Sequence, residues 1–287
     1  MNCPDYNSPQ ALKELLSSNS MAMQKKFGQN FLINENARVK LIDALDIKNG
    51  TSVWEVGPGL GAMTSEILKR GAELTVFEID RGFIKFLKVF FADEIASGSL
   101  RIIEGDVLKN WKGIYENEGE PERFFGNLPY NIAASLMADF IENNVRFEKG
   151  VITIQKEVAL RMTALPKSQD YSSFSILCQW AYKTEPLLDL AAGNFWPRPN
   201  VDSRSVLFTK NSDFPGCQNP SLFLKLQKGL FVSRRKNIRN NLTLFLKDGQ
   251  KALNAIEKAG LNPMARAEEL EIKKILLLSD VLNNAII

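Results

Sequence analysis

Four short runs, SVWEVG (52–57), LTVFEID (74–80), LRIIEGD (100–106) and RFFGNL (123–128), follow one another at intervals of about 20 to 30 residues. Each is rich in β-branched or aromatic residues and apolar nearly throughout, the pattern of a strand buried on both faces. The segments between them, such as AMTSEILKRG and RGFIKFLKVFFADEIA, have helical periodicity. Strands alternating with helices at the length of a βα unit predict an open, doubly wound α/β sheet of Rossmann-like type. GVITIQKEVA (150–159) reads as a fifth strand. FSILCQWAY (174–182) and SVLFTK (205–210) come without a long helix between them, as a pair closing the sheet antiparallel would.

The pattern changes after NSDFPGCQNP (211–220), a linker-like cluster of Pro, Gly, Asn and Asp. Residues 221–287 have helical periodicity and no convincing strand, so a small C-terminal all-helical domain is expected over 211–287, behind an α/β domain over 1–210. Ahead of the sheet, Ser8-Pro9 is an N-cap and first-turn signature that opens a short helix, QALKELL. The chain shows no internal repeat and no low-complexity tract.

Composition excludes more than it identifies. The 287 residues are 45% apolar and 24% charged, ordinary for a soluble globular protein, and no apolar run is long enough to span a membrane. The N-terminus lacks a basic segment followed by an apolar one, and three distant cysteines (Cys3, Cys178, Cys217) suit a reducing compartment, so a cytoplasmic location is expected. There is no histidine. A Ser-His-Asp triad, a His-ligated zinc, a His general base and a zinc nucleobase deaminase are therefore excluded.

EVGPGLGAMT (55–64) joins the first strand to a helix, and Gly57, Gly59 and Ala62 satisfy the loose dinucleotide fingerprint. Glycine there lets the backbone turn tightly and approach a ligand. Glu78 lies 21 residues after Gly57, at the end of the second strand, where an acid can take both ribose hydroxyls. Asp106 ends the third strand, where a carboxylate can accept from an adenine amino group. Each acid alone reads more simply as a surface or helix-capping carboxylate. Three such sites at the ends of consecutive strands favour a held adenosine, which both NAD and S-adenosylmethionine (SAM) possess.

FGNLPYN (125–131) separates the two. Pro129 ends any central strand, since it cannot donate to the ladder, and leaves Asn127 at the strand's edge. An adenine N6 is a poor nucleophile because its lone pair is delocalised into the ring. If the Asn127 side-chain carbonyl accepts one N6–H and the Leu128 backbone carbonyl the other, the nitrogen is driven toward sp³ geometry with its lone pair on the incoming methyl. Tyr130 can stack on the base. Positioning and fixed dipoles supply most of such a catalyst's effect, and no general base is needed. The base must be unpaired or flipped to enter.

On these motifs the chain resembles the KsgA-type ribosomal RNA small-subunit adenine N6-dimethyltransferase family, from about residue 8 to the C-terminus. KKFGQNFL (25–32), EVGPGLGAMT, EID (78–80), GDVL (105–108), NLPYNI (127–132), QKEVALRM (155–162) and FWPRPNVDS (195–203) occur in family order. The resemblance implies SAM as cofactor, with Asn30 and Leu32 over it, Gly57 of the glycine loop meeting it, and Glu78, Asp106 and Asn127 completing the site. Residues 1–33 would then hold an N-terminal helix and a cofactor-covering segment. The resemblance also implies that Phe195 faces Tyr130 across the target base. The implied substrate is two adjacent adenosines in the 3′-terminal hairpin loop of small-subunit (16S) ribosomal RNA, met by a monomer on a pre-assembled subunit, with no membrane partner. Trp196 and Met63 depart from commoner family residues without disturbing the motifs.

Residues 222–247 hold seven basic residues and no acid, a local charge of +7 in a chain of net +3. In FVSRRKNIRNNL (231–242), Arg235 and Arg239 are four apart, the spacing of one helix face, with Arg234, Lys236 and Lys228 near them. An RNA phosphate backbone is the partner expected for this run, although a basic stretch is often no more than a solvated face. Three rivals remain at this point. They are an antibiotic-resistance large-subunit RNA methylase, typically with Asn-Ile-Pro-Tyr, a DNA adenine methylase with a target-recognition insertion, and a ribosome-assembly or transcription factor that binds RNA without methylating it.

Overall fold

The β-branched runs of the first half become strands, and the helices between them carry the chain back so that successive strands run parallel. The computed structural model describes residues 4–19, 21, 23, 29–128 and 132–286. These form two compact units, the first from the described part of 1–136 with 145–159 and 185–209, the second from 137–144, 160–184 and the described part of 210–287.

In chain order the first half runs α1 (Pro9–Ser18), β1 (Phe31–Leu32), α2 (Glu35–Asp43), β2 (Ser52–Val56), α3 (Ala62–Leu68), β3 (Glu73–Glu78), α4 (Arg81–Phe90), α5 (Ala92–Ser97), β4 (Leu100–Glu104), α6 (Val107–Glu118) and β5 (Arg123–Asn127). There follow α7 (Ala133–Glu142), β6 (Lys149–Gln155), α8 (Lys156–Thr163), β7 (Tyr182–Leu190), β8 (Phe195–Trp196) and β9 (Ser203–Lys210). The sheet order is β4-β3-β2-β5-β6-β9-β7. From β4 to β6 neighbouring strands are parallel, and β9 is antiparallel to β6. The chain moves outward from β2 through β3 to β4, then returns to the other side of β2 as β5. That reversal is the switch point where open α/β sheets bind ligands. The inserted antiparallel β9 departs from the all-parallel order of dinucleotide folds, whose second half repeats the first.

β2, β5 and β6 are the strands most enclosed. Val53, Trp54, Val56, Phe124 and Phe125 are buried, and Trp54 meets Phe77 and Phe147 edge-on at 5.1 and 6.1 Å between ring centres. Each such side chain contributes about 1.5–3 kcal/mol on burial. Away from this sheet, β1 and β8 form a two-stranded antiparallel ribbon that pairs Phe31 with Trp196 and Leu32 with Phe195. At the N-terminus, Ser8 caps α1 by accepting from Ala11 N, with Pro9 at the first helical position, as expected.

The second unit is helical, with α9 (Ser173–Ala181), α10 (Pro220–Leu230), α11 (Ile238–Leu246), α12 (Gly249–Lys258) and α13 (Ile272–Ile286). Asn219, Asn237 and Asp248 cap three of these through their side chains. Phe223, Leu226, Leu230, Ile238, Leu242, Ile256, Ile275 and Leu278 form the interior. This unit takes in residues 137–144 and 160–184, ahead of the expected linker.

Two strand expectations change, the first being the KEVA end of GVITIQKEVA, which opens α8 because β6 stops at Gln155. FSILCQWAY is helical from Phe174 through Ala181, and only Tyr182 belongs to a strand. Ser172 N donates to Ser175 Oγ at 2.9 Å, half of a reciprocal cap, and Ile176, Leu177, Cys178, Trp180 and Ala181 are all buried. An apolar run buried all round has no period that separates helix from strand. The strand comes next, as β7, whose sequence YKTEPLLDL has Pro186 and exposed charges. Proline is tolerated there because β7 is the edge of the sheet.

Among the described residues, no helix is long and apolar enough to cross a membrane, and no cluster of His, Cys, Asp and Glu could hold a metal ion.

Candidate active site

A cleft of about 320 Å³ opens at the carboxyl ends of β2 to β6. Its lining includes Gly57 and Gly59 after β2, Glu78 at the end of β3, Asp106 after β4, Asn127 and Leu128 at the end of β5, and Asn30, Leu32 and Phe195 from the β1–β8 ribbon. The structure thus brings together all the sequence-predicted cofactor residues. Tyr130 lies outside the described residues.

Two glycines of the loop are dictated by geometry. Gly57 and Gly59 have φ of +74° and +57°, the left-handed region that L side chains rarely adopt. A Cβ on Gly59 would stand 2.9 Å from the Phe31 ring.

Glu78 is 5% exposed, and its carboxylate ties the loop to β3. Oε1 accepts from Ile79 N and Asp80 N, both at 2.8 Å, and Oε2 accepts from Gly59 N at 3.1 Å. Oε1 is thereby filled, and Oε2 is the oxygen with a lone pair to spare. Of the two carboxylate oxygens expected from sequence to face a ribose, one is taken up by backbone donors. Burial pushes the carboxyl up to about 7, against the three backbone donors that pull it down. Asp106 is a helix cap with one oxygen to spare. Oδ1 caps α6 by accepting from Leu108 N at 3.0 Å, and Oδ2 accepts from no described residue. Capping orients the side chain and leaves the second oxygen at the cleft.

At the end of β5, Asn127 Nδ2 donates to Asn30 O at 3.1 Å. A carbonyl can only accept, so this bond fixes which end of the amide is which. Oδ1 accepts no hydrogen bond from a described residue, nor does Leu128 O, while Leu128 N is held by Thr153 O at 3.0 Å. Two neighbouring oxygens at the cleft therefore keep their lone pairs. Phe195, 4% exposed, adds a ring to the lining.

Several residues at the site were not singled out from sequence. Tyr6 lines the cleft and donates its hydroxyl to Leu60 O of the glycine loop at 2.9 Å. Gln29 lines it too, bonded to Asp80. Beneath the loop, Glu55 is 1% exposed and accepts from Thr64 Oγ1 at 2.7 Å. Its signal was available, as the one charged residue in SVWEV.

The basic run in the second unit is not the single helix face that its spacing suggests. α10 ends at Leu230 and α11 begins at Ile238, so Arg234, Arg235 and Lys236 lie in the connecting turn and Arg239 in the first turn of α11. Asn237 caps α11 by accepting from Asn240 N, which starts the helix too late to include Arg235. Acids from elsewhere also reach the run. Arg234 Nη2 pairs with Glu268 at 3.0 Å and donates to Gln169 O at 2.7 Å, and Lys228 pairs with Glu142 at 2.7 Å. Arg235, Lys236 and Arg239 are exposed and have no acidic partner among the described residues.

A glycine loop at the switch point, carboxylates ending the next two strands and an antiparallel strand inserted beside β6 define a SAM-dependent methyltransferase. Within that class, residues 21–284 match the model of the family described as ribosomal RNA adenine dimethylase, and the chain belongs to that family. It is 48% identical over 284 residues to a Treponema denticola protein named Ribosomal RNA small subunit methyltransferase A, covering 98% of this chain and 97% of the relative. A Borreliella burgdorferi protein of the same name is 37% identical over 97% of this chain and 95% of its own. Among solved structures, a dimethyladenosine transferase from Plasmodium falciparum has a TM-score of 0.72 at 24% identity, covering 85% of this chain and 94% of that one. The 23S rRNA methyltransferase ErmE has 0.65 at 20%, covering 88% and 99%. These two likenesses concern the fold.

Replacing Glu78 tests the cofactor end of the cleft. Glu78→Ala is expected to weaken SAM binding about tenfold or more, since a charged hydrogen bond is worth about 1.5–3 kcal/mol. Because the acceptor is the carboxylate, wild-type affinity should also fall as pH drops through about 7. Calorimetry across pH 6 to 8 reads both, and an unchanged affinity in the variant removes Glu78 from the site.

Proposed function

We propose that the protein transfers methyl groups from SAM to N6 of two adjacent adenosines in the 3′-terminal hairpin loop of small-subunit ribosomal RNA, two to each base. The observation that carries this is the pair of open acceptors, Asn127 Oδ1 and Leu128 O, beside a cleft with acids at the ends of β3 and β4. The relatives named for the small subunit support the choice of RNA, because they match nearly the whole chain.

SAM, when bound, supplies a methyl group on a positively charged sulfur. The residues do the rest by placement. Glu78 Oε2 accepts from a ribose hydroxyl and Asp106 Oδ2 from the cofactor's adenine amino group. Asn127 Oδ1 and Leu128 O accept the two N6–H groups of the target base, which localises the nitrogen lone pair for in-line attack. Phe195 and Tyr130 sandwich the ring. The N6 protons become acidic as the new C–N bond forms, so a chain without histidine lacks nothing the reaction needs. After the first transfer one N–H remains, and one of the two acceptors suffices to hold it.

The enzyme acts in the cytoplasm as a monomer on a pre-assembled subunit, where Arg235, Lys236 and Arg239 meet RNA phosphates. Arg234 contributes chiefly by tying its turn to Glu268 and Gln169. Incubating the protein and labelled SAM with small subunits that lack the modification tests the function directly. Label on two adjacent adenosines is expected, and label confined to large-subunit RNA, or none, overturns the proposal.

Salt dependence tests the basic turn. Removing one cation from a phosphate should flatten the slope of log affinity against log salt by about 0.7–0.9. The double change Arg235→Ala, Arg239→Ala should therefore weaken subunit binding most at low salt and leave SAM affinity untouched. Arg234→Ala should lower the melting temperature with a smaller change in slope. Equal slopes for wild type and the double variant would mean a merely solvated face.

A further inference from the structure

Residues 29–32 cross the cleft as a strap held at each residue. Gln29 Nε2 donates to Asp80 Oδ2 at 2.9 Å. Asn30 O accepts from Asn127 Nδ2 at 3.1 Å. The Phe31 ring lies against Gly59 and stacks on Trp196 at 6.2 Å between centres. Leu32 pairs with Phe195, and its carbonyl accepts from Arg38 Nη1 at 2.9 Å. All four strap residues line the cleft.

The Asp80 end is rigid. Asp80 is 3% exposed, its Oδ1 accepts from Gly82 N and Phe83 N at the start of α4, and its own N–H donates to Glu78. A hydrogen bond to a carboxylate so enclosed is charge-assisted and unscreened, and stronger than a neutral bond at the surface. The strap thus has a polar anchor near β3 through Gln29 and another near β5 through Asn30. The second anchor also sets the plane of the Asn127 amide. Loss of the first removes one of the contacts that hold the Asn30 carbonyl in register with the amide.

We propose that Gln29 is a positioning residue: its bond to Asp80 fixes the strap over the cofactor and, through the Asn30 carbonyl, the orientation of Asn127. This rests on the SAM-dependent reading above. Gln29 acts through Asp80 and Asn30, so its loss should register first in cofactor affinity and in KM for SAM, and less in kcat.

The full-length protein is titrated with SAM by calorimetry, then assayed on small subunits, with melting temperature recorded for every variant. Gln29→Ala is expected to raise the SAM Kd and KM at least about fivefold, part of the value of a charged hydrogen bond, with kcat reduced less than in Asn127→Ala. Gln29→Glu, which places two carboxylates together, should be worse than Gln29→Ala. Adding Asp80→Asn to Gln29→Glu should restore affinity to within about twofold, because Asn still caps a helix and its amide can donate to the new Glu. A residue that merely packs would change melting temperature without this pattern of loss and rescue. A Gln29→Ala variant whose Kd and KM stay within twofold of wild type overturns the proposal, as does a double variant no better than Gln29→Glu. Wild-type protein that binds no SAM would instead refute the cofactor reading, so the two failures are distinct.

Discussion

Asn127→Ala is expected to lower methyl transfer by about 10²–10³, the scale of losing one oriented dipole that acts in the transition state. The side chain has two jobs. Its Nδ2 holds the Asn30 carbonyl, and its Oδ1, which accepts from no described residue, is open for the acceptor role proposed above. Losing the first should weaken SAM binding several-fold, a ground-state effect that saturating cofactor overcomes. Losing the second leaves the N6 lone pair delocalised, and no concentration of either substrate repairs that. The deficit should therefore survive in kcat at saturation, equivalent to about 2.7–4 kcal/mol of barrier. Asn127→Asp separates the roles. It keeps an acceptor, abolishes the donor, and sets a carboxylate against the Asn30 carbonyl, so cofactor affinity should fall further than in the Ala variant while more of the chemistry survives. Turnover at saturation within about tenfold of wild type in Asn127→Ala would mean that the acceptor role is misassigned.

What was legible in the sequence follows from how local the determining physics is. Parallel strands inside the sheet are buried on both faces, so β2, β3 and β5 read as apolar runs, while β4, at the sheet edge with Arg101 and Glu104 exposed, is legible from Leu100, Ile102 and Ile103. The loop glycines and the acids at strand ends were legible because the switch point demands them at fixed spacing. In α9 near-complete burial erases the periodicity that separates helix from strand, and β7, as an edge strand, carries Pro186 and charge that hide its strand pattern. Ion pairs are set by tertiary approach, not by spacing, and Glu268 reaches Arg234 from 34 residues away. The break between α10 and α11 hangs on Asn237, whose capping role the sequence offered but the four-residue spacing of Arg235 and Arg239 obscured. Gln29 and Asp80 are 51 residues apart, and only the fold brings them together.

Glu55→Gln is expected to make the protein more stable in mild alkali. Glu55 lies in the centre of the sheet on β2, with Oε1 buried and without a hydrogen-bond partner. Burial pushes its carboxyl up to about 8, the Thr64 hydroxyl draws it down, and the nearby charge of Glu78 raises it again. In the unfolded chain the same group ionises near its ordinary value of 4.5. Between these values the native state binds a proton that the unfolded state does not, so this group makes stability fall as pH rises, by up to about 1.4 kcal/mol per pH unit. From pH 5 to pH 8 the loss should be on the order of 3 kcal/mol, with Glu78 adding a smaller loss in the same direction. Glutamine keeps the shape and cannot ionise. Near pH 5, where the native acid is neutral, the two proteins should have similar stability, and the variant should gain steadily above that. Denaturant titrations of both proteins at several pH values give the difference directly; contributions from groups remote from Glu55 cancel in it, and what remains is Glu55 together with its coupling to Glu78. A difference that does not change with pH would mean that Glu55 is already ionised in the folded protein, with a cation or ordered water beside Oε1.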